Sequence, residues 1–265
     1  MMRTARETLF RALREAGGLI LRGFDKPQKV AFKGSPINLV TAVDKAADAH
    51  IRRILRRAFP THDLLTEESE PTTLRSPYRW IVDPLDGTTN YAHHFPQAGV
   101  SIGLEYRGAI ILGGVYDPFR DELFWAERGK GAWLERAGKK KRLGVSSTTT
   151  LKRSLLLTGF PYDRRERADL YLSYIKAFMH RIQGIRRAGA AALDLCWVAC
   201  GRVDGYWEWR LKPWDCAAGQ IIVEEAGGRL SDFSGRPFSI YGEQTLATNG
   251  RVHAEMLRVM RELLR

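Results

Sequence analysis

Asp83 and Asp86 stand three residues apart with Pro84 between them, and Gly87-Thr88-Thr89-Asn90 follows at once. These residue types suit a phosphate and a hard cation. Mg²⁺ binds through a few carboxylates together with phosphate oxygens. Gly87 lets the backbone approach a ligand closely. Thr88, Thr89 and Asn90 are helix-capping types, so free N–H groups at a helix start are expected just beyond them, and such a start attracts anions. The plainer reading is an Asp-Pro/Asp-Gly turn that only joins two elements, since all three residue types are ordinary turn formers.

The element that must position these side chains lies just before them. Trp80-Ile81-Val82 is a short apolar run of the kind that forms a buried strand. Pro84 fixes its own φ and keeps Asp83 extended, so both carboxylates belong to one turn at a rigid strand end.

The stretch from Trp80 to Asn90 resembles the signature of the inositol monophosphatase family, apolar-Asp-Pro-(Ile/Leu)-Asp-Gly-Thr-Thr-Asn. Two further stretches carry the same resemblance. One is Trp214-Asp215-Cys216-Ala217-Ala218-Gly219, followed by Glu224-Glu225-Ala226-Gly227-Gly228; the other is Thr66-Glu67-Glu68-Ser69. Together they span nearly the whole chain and resemble most closely the bacterial inositol-1-monophosphatase branch of the Mg-dependent, Li-sensitive sugar phosphatases. The resemblance implies an α+β fold, the layered αβαβα sandwich of the sugar phosphatases. It also implies hydrolysis of a phosphate monoester by metal-activated water, with inositol 1-phosphate as the expected substrate and a homodimer as the expected assembly.

The roles that the resemblance implies fall on particular residues. Glu67, Asp83 and the Leu85 carbonyl hold a first Mg²⁺, and Asp83, Asp86 and Asp215 hold a second. Glu67 also borders a weaker third ion through water. Thr88, oriented by Asp44, positions and deprotonates the attacking water. The N–H groups of Gly87 and Thr88 cradle phosphate beside Asp86. Gly189, Ala190 and Ala191, with Glu208, contact the alcohol portion, and Lys33 stands near the metal waters. Ala190 occupies a position where some relatives carry Ser or Thr. Arg210 and Lys212 add positive charge near the substrate mouth. On spacing alone, the acids could equally be surface groups neutralised by the chain's many arginines. The same metal scaffold serves fructose-1,6-bisphosphatase, histidinol-phosphatase and nucleotide-phosphate phosphatases, which stay open as alternatives.

Along the chain, Thr4 to Arg22 has helical apolar spacing and is expected to end at Gly23. Asp44 is expected to cap a helix running to Ala58. Asp63 to Thr66 reads as a strand delivering Glu67, and Gly99 to Trp133 as a β-meander broken by Arg107-Gly108, Asp117-Pro118 and Gly129-Lys130-Gly131. The second half alternates. Strands are expected at 155–157, 182–185, 205–209, 229–231 and 245–248, and helices at 168–180, 190–200, 215–226 and 251–264. This pattern predicts layered α and β structure. Two lobes, 1–148 and 149–265, are expected within one compact unit, Asp215 and the substrate contacts lying in the second.

The chain has 265 residues, 44% apolar and 27% charged, as a soluble globular protein does. No apolar run is long enough to span a bilayer. The first segment carries Glu7 and Glu15 and no clean apolar core, so no signal peptide is expected and a cytoplasmic location is. Three cysteines fit a reducing compartment, with Cys196 and Cys200 read as packed thiols. The net charge of +12 can steer phosphorylated substrates or nucleic acid. An additional RNA- or transcription-complex-binding role therefore stays open. The one basic run, Lys139 to Arg142, is read as a solvated loop at a hairpin tip.

Overall fold

The computed structural model describes residues 2–27, 30–32 and 39–263. Lys33 and the rest of 33–38 lie outside them. The first helix, α1 (Met2–Phe24), buries Leu9, Leu13, Ala16 and Ile20 on one face and runs through Gly23. Two short strands, β1 (Val30–Phe32) and β2 (Leu39–Thr41), pair antiparallel. At the start of α2 (Ala42–Ala58) the cap is Thr41 and not Asp44. The Thr41 hydroxyl accepts the N–H groups of Val43 and Asp44 at 3.2 and 3.4 Å, and Asp44 returns an oxygen to the Thr41 N–H at 2.8 Å. Asp44 is thus the third residue of a capping box.

Next come β3 (Asp63–Thr66), β4 (Tyr78–Asp86), α3 (Thr88–Ala92) and the meander β5 (Gly99–Tyr106), β6 (Ala109–Asp117), β7 (Glu122–Glu127), β8 (Ala132–Arg136) and β9 (Lys139–Arg142). The basic run expected as a loop is therefore an edge strand. It pairs with β8 from Arg136 opposite Lys139 to Trp133 opposite Arg142, with its side chains exposed. Charged residues on an edge discourage pairing with another chain. The order β3-β4-β5-β6-β7-β8-β9 makes one seven-stranded sheet, parallel at β3/β4 and antiparallel elsewhere.

The second half supplies β10 (Leu155–Thr158), α4 (Ala168–Met179), β11 (Gly184–Arg186), α5 (Ala191–Ala199), β12 (Gly205–Trp209), α6 (Pro213–Glu225), β13 (Arg229–Ser231), β14 (Gln244–Thr248) and α7 (His253–Leu263). Helix α6 begins two residues ahead of the expected Asp215 because Pro213 fills its first turn, where no N–H is needed. The five-stranded sheet runs β11-β10-β12-β14-β13.

Three apolar clusters define the layers. The first joins α1 and α2 to one face of the seven-stranded sheet through Leu9, Ile51, Trp80 and Ile102. The second, around Leu195, Ala218 and Ile221, places α5 and α6 between the sheets. Here α6 lies so close to β6 that a Cβ on Gly113 would stand 2.9 Å from the Ala218 Cα. The third packs α4 and α7 on the five-stranded sheet through Phe178, Trp207 and Met256. The architecture is a mixed α+β stack of five layers, helices, sheet, helices, sheet, helices. Among the described residues no helix is long and apolar enough to cross a membrane.

His253 at the start of α7 gives this packing a pH dependence. It is 0 % exposed, with its Nε2 3.0 Å from the Ser231 hydroxyl and its Nδ1 2.9 Å from that of Thr248. Ser231 donates its own proton to the Asp232 carbonyl, so it accepts from Nε2–H, and Thr248 donates to a bare Nδ1. Both nitrogens are satisfied in the neutral ring. Burial, aided by the charge on Arg229, pushes the imidazole down to about 4. The unfolded chain binds this proton near pH 6.5, so the stabilisation is complete above that pH and is lost as pH falls toward 4. Denaturant unfolding of the wild type should therefore lose about 2–3 kcal/mol more than His253→Asn between pH 7 and 4.5. Equal losses in both proteins would refute the assignment.

Candidate active site

In a regular strand, residues three apart point to opposite faces. Along β4 the register against β5 passes from Asp83 opposite Ser101 to Asp86 opposite Gly99, so one extra residue is accommodated between them. This bulge resets the alternation and returns Asp86 to the side of Asp83. Asp83 Oδ1 accepts the Leu85 N–H at 3.0 Å. The chain then turns at Gly87, whose φ of +93° is left-handed and whose Cβ, if present, would stand 2.8 Å from the Gln97 carbonyl oxygen. Gly87 is the cap residue of α3, a place the sequence had assigned to Thr88, Thr89 and Asn90.

Thr88 lies in the first turn of α3 with its hydroxyl 2.9 Å from Asp44 Oδ1 and 3.1 Å from the Leu85 carbonyl. One proton cannot serve both acceptors, so these two groups compete for it. Burial pushes the Asp44 carboxyl up, against the hydrogen bonds from Thr41 and Thr88. Glu67 follows β3, and its N–H bonds the Val82 carbonyl at 3.2 Å, which brings it alongside Asp83.

Elements from the second half close on this strand end. The N–H groups of Ala191 and Ala192, at the start of α5, bond Asp86 Oδ1 and Oδ2 at 3.1 and 2.8 Å. Gly189 precedes them at φ +84°, and Ala190 caps the helix. Asp215 sits in the first turn of α6 and accepts the Lys212 N–H at 2.6 Å, while the Trp214 carbonyl takes the Ser101 hydroxyl of β5. Glu208, on β12, accepts the Tyr206 hydroxyl. Burial raises the Glu208 carboxyl to about 7, against the Tyr206 bond and the Arg187 charge.

The acids burden one another. Asp83 is 2 % exposed and Asp86 7 %. Asp83 is held well above the carboxylate range by burial, then by the charges of Glu67, Asp86 and Asp215. Asp86 is raised to about 7, mainly by burial, against its two N–H donors. Asp215 is raised well above its ordinary value by burial and then by Glu67. Among the described residues, no Lys or Arg forms an ion pair with Asp83, Asp86 or Asp215. Buried carboxylates without a counter-charge are costly, and oxygen-only donors fit a hard divalent cation. Among the described residues no three His, Cys, Asp or Glu side chains stand close enough together to hold a metal ion by themselves. An ion held here would complete its shell with water and phosphate, as Mg²⁺ does.

Comparison with known proteins identifies the family of the chain. Residues 1–265 match the profile of the inositol monophosphatase family. The chain belongs to this family. It is 43% identical over 260 residues to an inositol-1-monophosphatase of Synechocystis sp., covering 98% of this chain and 89% of the relative. It is 42% identical over 257 residues to the Nus factor SuhB of Escherichia coli, covering 96% and 94%. Among solved structures, the inositol monophosphatase of Anabaena (Nostoc) sp. superposes with a TM-score of 0.88 at 43% identity, covering 98% of this chain and 96% of that one. SuhB of Bartonella henselae does so at 0.91 and 37% identity, covering 97% and 98%. The inositol monophosphatase family is one of phosphatases that are generally metal-dependent, and a phosphorylated substrate fits the family.

Within this site the sequence left Asp194 and Tyr206 unassigned and read Asn90 only as a helix-capping type. Asp194 of α5 is 1 % exposed, its Oδ1 has no hydrogen-bond partner among the described residues, and burial, then the charges of Glu208 and Asp86, push it well above its ordinary range. A lone acid in the apolar helix Ala-Ala-Leu-Asp-Leu-Cys was the available signal. Asn90 donates its amide to the carbonyls of Gln97, Ala188 and Gly189 at 2.8, 2.9 and 3.2 Å, tying α3 to the segment that leads into α5. Tyr206 anchors Glu208, and nothing in its strand pattern marked it out.

Other charged groups are engaged elsewhere. Arg210, expected to charge the substrate mouth, pairs with Asp163 at 2.7 Å. His62 stacks between Phe59 and Tyr78 as a packing residue. The thiols of Cys196 and Cys216 are buried and raised well above their ordinary range by that burial.

Proposed function

We propose that the chain is a Mg²⁺-dependent phosphomonoesterase that releases phosphate from inositol 1-phosphate. The observation that carries this reading is the pair Asp83 and Asp86, brought to one side of a bulged strand end, buried, and bonded among the described residues by backbone N–H groups alone. Glu67, Asp83 and the Leu85 carbonyl would hold one ion, and Asp83, Asp86 and Asp215 another, with Glu67 bordering a weaker third. Bound Mg²⁺ supplies Lewis-acid charge neutralisation and a water of lowered pKa.

The chain's own residues do the rest. Thr88 receives the attacking water's hydrogen bond while passing its hydroxyl proton toward Asp44 Oδ1, 2.9 Å away. Donation to Asp44 leaves the Leu85 carbonyl free to act as a ligand. The N–H groups of Gly87 and Thr88 orient the phosphate, and the segment Gly189 to Ala191 shapes the alcohol side. Glu208 accepts hydroxyl hydrogen bonds there and repels a second phosphate, which favours a singly phosphorylated polyol. The name of the Synechocystis relative supports the same substrate. We take the active form to be a homodimer, as the family resemblance implies.

A buried hydroxyl–carboxylate bond contributes on the order of 1.5–3 kcal/mol, so Glu208→Gln should lower kcat/KM for inositol 1-phosphate roughly ten- to hundred-fold. An aryl phosphate, which offers no hydroxyls, should be affected much less. A phosphate-release screen with Mg²⁺ tests the whole reading: inositol 1-phosphate should exceed fructose 1,6-bisphosphate, histidinol phosphate and nucleotide phosphates. A preference for any of those three sinks the substrate assignment.

A second reading rests on the SuhB relatives, which are named Nus factors, and on the exposed basic strand β9. An additional role in a transcription complex would make RNA affinity fall steeply with salt, and neutralising Lys139, Lys140 and Lys141 should flatten that slope. An unchanged slope would exclude β9 from such a role.

A further inference from the structure

We infer that Gly159 is a specificity-determining positioning residue, whose missing side chain makes the seat for the Glu208 carboxylate. The inference rests on the reading of Glu208 as the group facing the substrate alcohol.

Gly159 directly follows β10, and the sheet fixes what it meets. Leu157 and Thr158 pair with Tyr206 and Trp207 of β12, and the Thr158 hydroxyl bonds the Trp207 carbonyl at 2.9 Å. The next position on each strand brings Gly159 against Glu208. A Cβ built on Gly159 would fall inside the van der Waals envelope of both carboxylate oxygens and the carbon between them. The backbone itself does not demand glycine here, because Gly159 lies outside the left-handed region. What it supplies is space. The Tyr206 hydroxyl donates to the same carboxylate, so Glu208 is held by a hydrogen bond while resting in the hollow above Gly159. A methyl group in that hollow has one easy outlet, since the atoms it meets are the far end of a flexible side chain. The carboxylate must swing away, and the fold need not change. The ligand class this seat selects is a polyol monophosphate, whose hydroxyls require an acceptor at a fixed place.

Gly159→Ala tests the seat without removing any functional group. Steady-state kinetics with inositol 1-phosphate and with p-nitrophenyl phosphate should show kcat/KM falling about tenfold for the polyol ester, chiefly through KM, and far less for the aryl ester. The melting temperature should stay within about 3 °C. Glu208→Asp shortens the acid by one methylene and clears the hollow. In that background Gly159→Ala should therefore cost at most about twofold. Equal losses on both esters, or the same loss in both backgrounds, would overturn the inference. The controls separate it from the reading beneath it. If Glu208→Gln leaves the preference for the polyol ester intact, the reading of Glu208 fails and takes the inference with it. If Glu208→Gln removes that preference and Gly159→Ala does not, the inference alone fails.

Discussion

Asp83→Asn is expected to abolish phosphate release in a protein that remains folded. Asp83 is the one side chain assigned to both principal ions, and among the described residues no Lys or Arg pairs with it. Losing it should lower kcat by about 10³-fold or more, the several kcal/mol that bound metal contributes to phosphoryl transfer. The same change relieves repulsion from Glu67, Asp86 and Asp215, the charges that together with burial hold Asp83 above its ordinary range. The metal-free variant should therefore melt higher than the metal-free wild type, by about 2–4 °C for each kcal/mol relieved. Adding Mg²⁺ should raise the melting temperature of the wild type and do little for the variant. Near wild-type turnover by Asp83→Asn at saturating Mg²⁺ would remove the carboxylate pair from the chemistry.

Asn90→Asp should cost both stability and turnover. The Asn90 amide faces three carbonyl oxygens, those of Gln97, Ala188 and Gly189. That environment fixes which end of the side chain is nitrogen, since an oxygen there would face only acceptors. Aspartate places a carboxylate against the same three carbonyls. Each buried group left without a partner costs about 1–3 kcal/mol, so a loss of about 3–5 kcal/mol is expected, lowering the melting temperature by roughly 10 °C. Turnover should fall as well, because the freed segment leads directly into the Ala191 and Ala192 N–H groups that hold Asp86. Thermal melts and phosphate release measured on one preparation check both effects. A melting temperature within about 2 °C of wild type would show that the tie carries no load.

The parts of this architecture written in local chemistry could be read from the sequence. Trp80 to Val82 announced a buried strand by its apolar run, and Asp-Pro-Leu-Asp-Gly announced a turn bearing acids. The alternating second half announced layered α and β structure. What escaped was set by partners distant in the chain. The bulge that turns Asp83 and Asp86 to one side exists only in the register with Gly99 and Ser101. Lys139 to Arg142 has poor strand propensity and forms β9 only because β8 offers an open edge. Thr41 and Asp44 are both capping types, and only the direction of their hydrogen bonds shows that Thr41 leads. Asp194 reads as one polar residue in an apolar helix until the fold buries it beside Glu208 and Asp86. The approach of Glu67 and Asp215 to the pair Asp83 and Asp86 is tertiary, and spacing alone left two readings of these acids open.

The central claim is that buried carboxylates gather a metal ion for phosphate ester hydrolysis. Phosphate release from inositol 1-phosphate by the wild type, first stripped of metal by a chelator and then titrated with Mg²⁺, tests it most directly. The account predicts no release above the uncatalysed rate in chelator and full, saturable recovery with Mg²⁺, absent in Asp83→Asn. Undiminished release in chelator, or recovery of the Asp83→Asn protein to the wild-type rate, would contradict it.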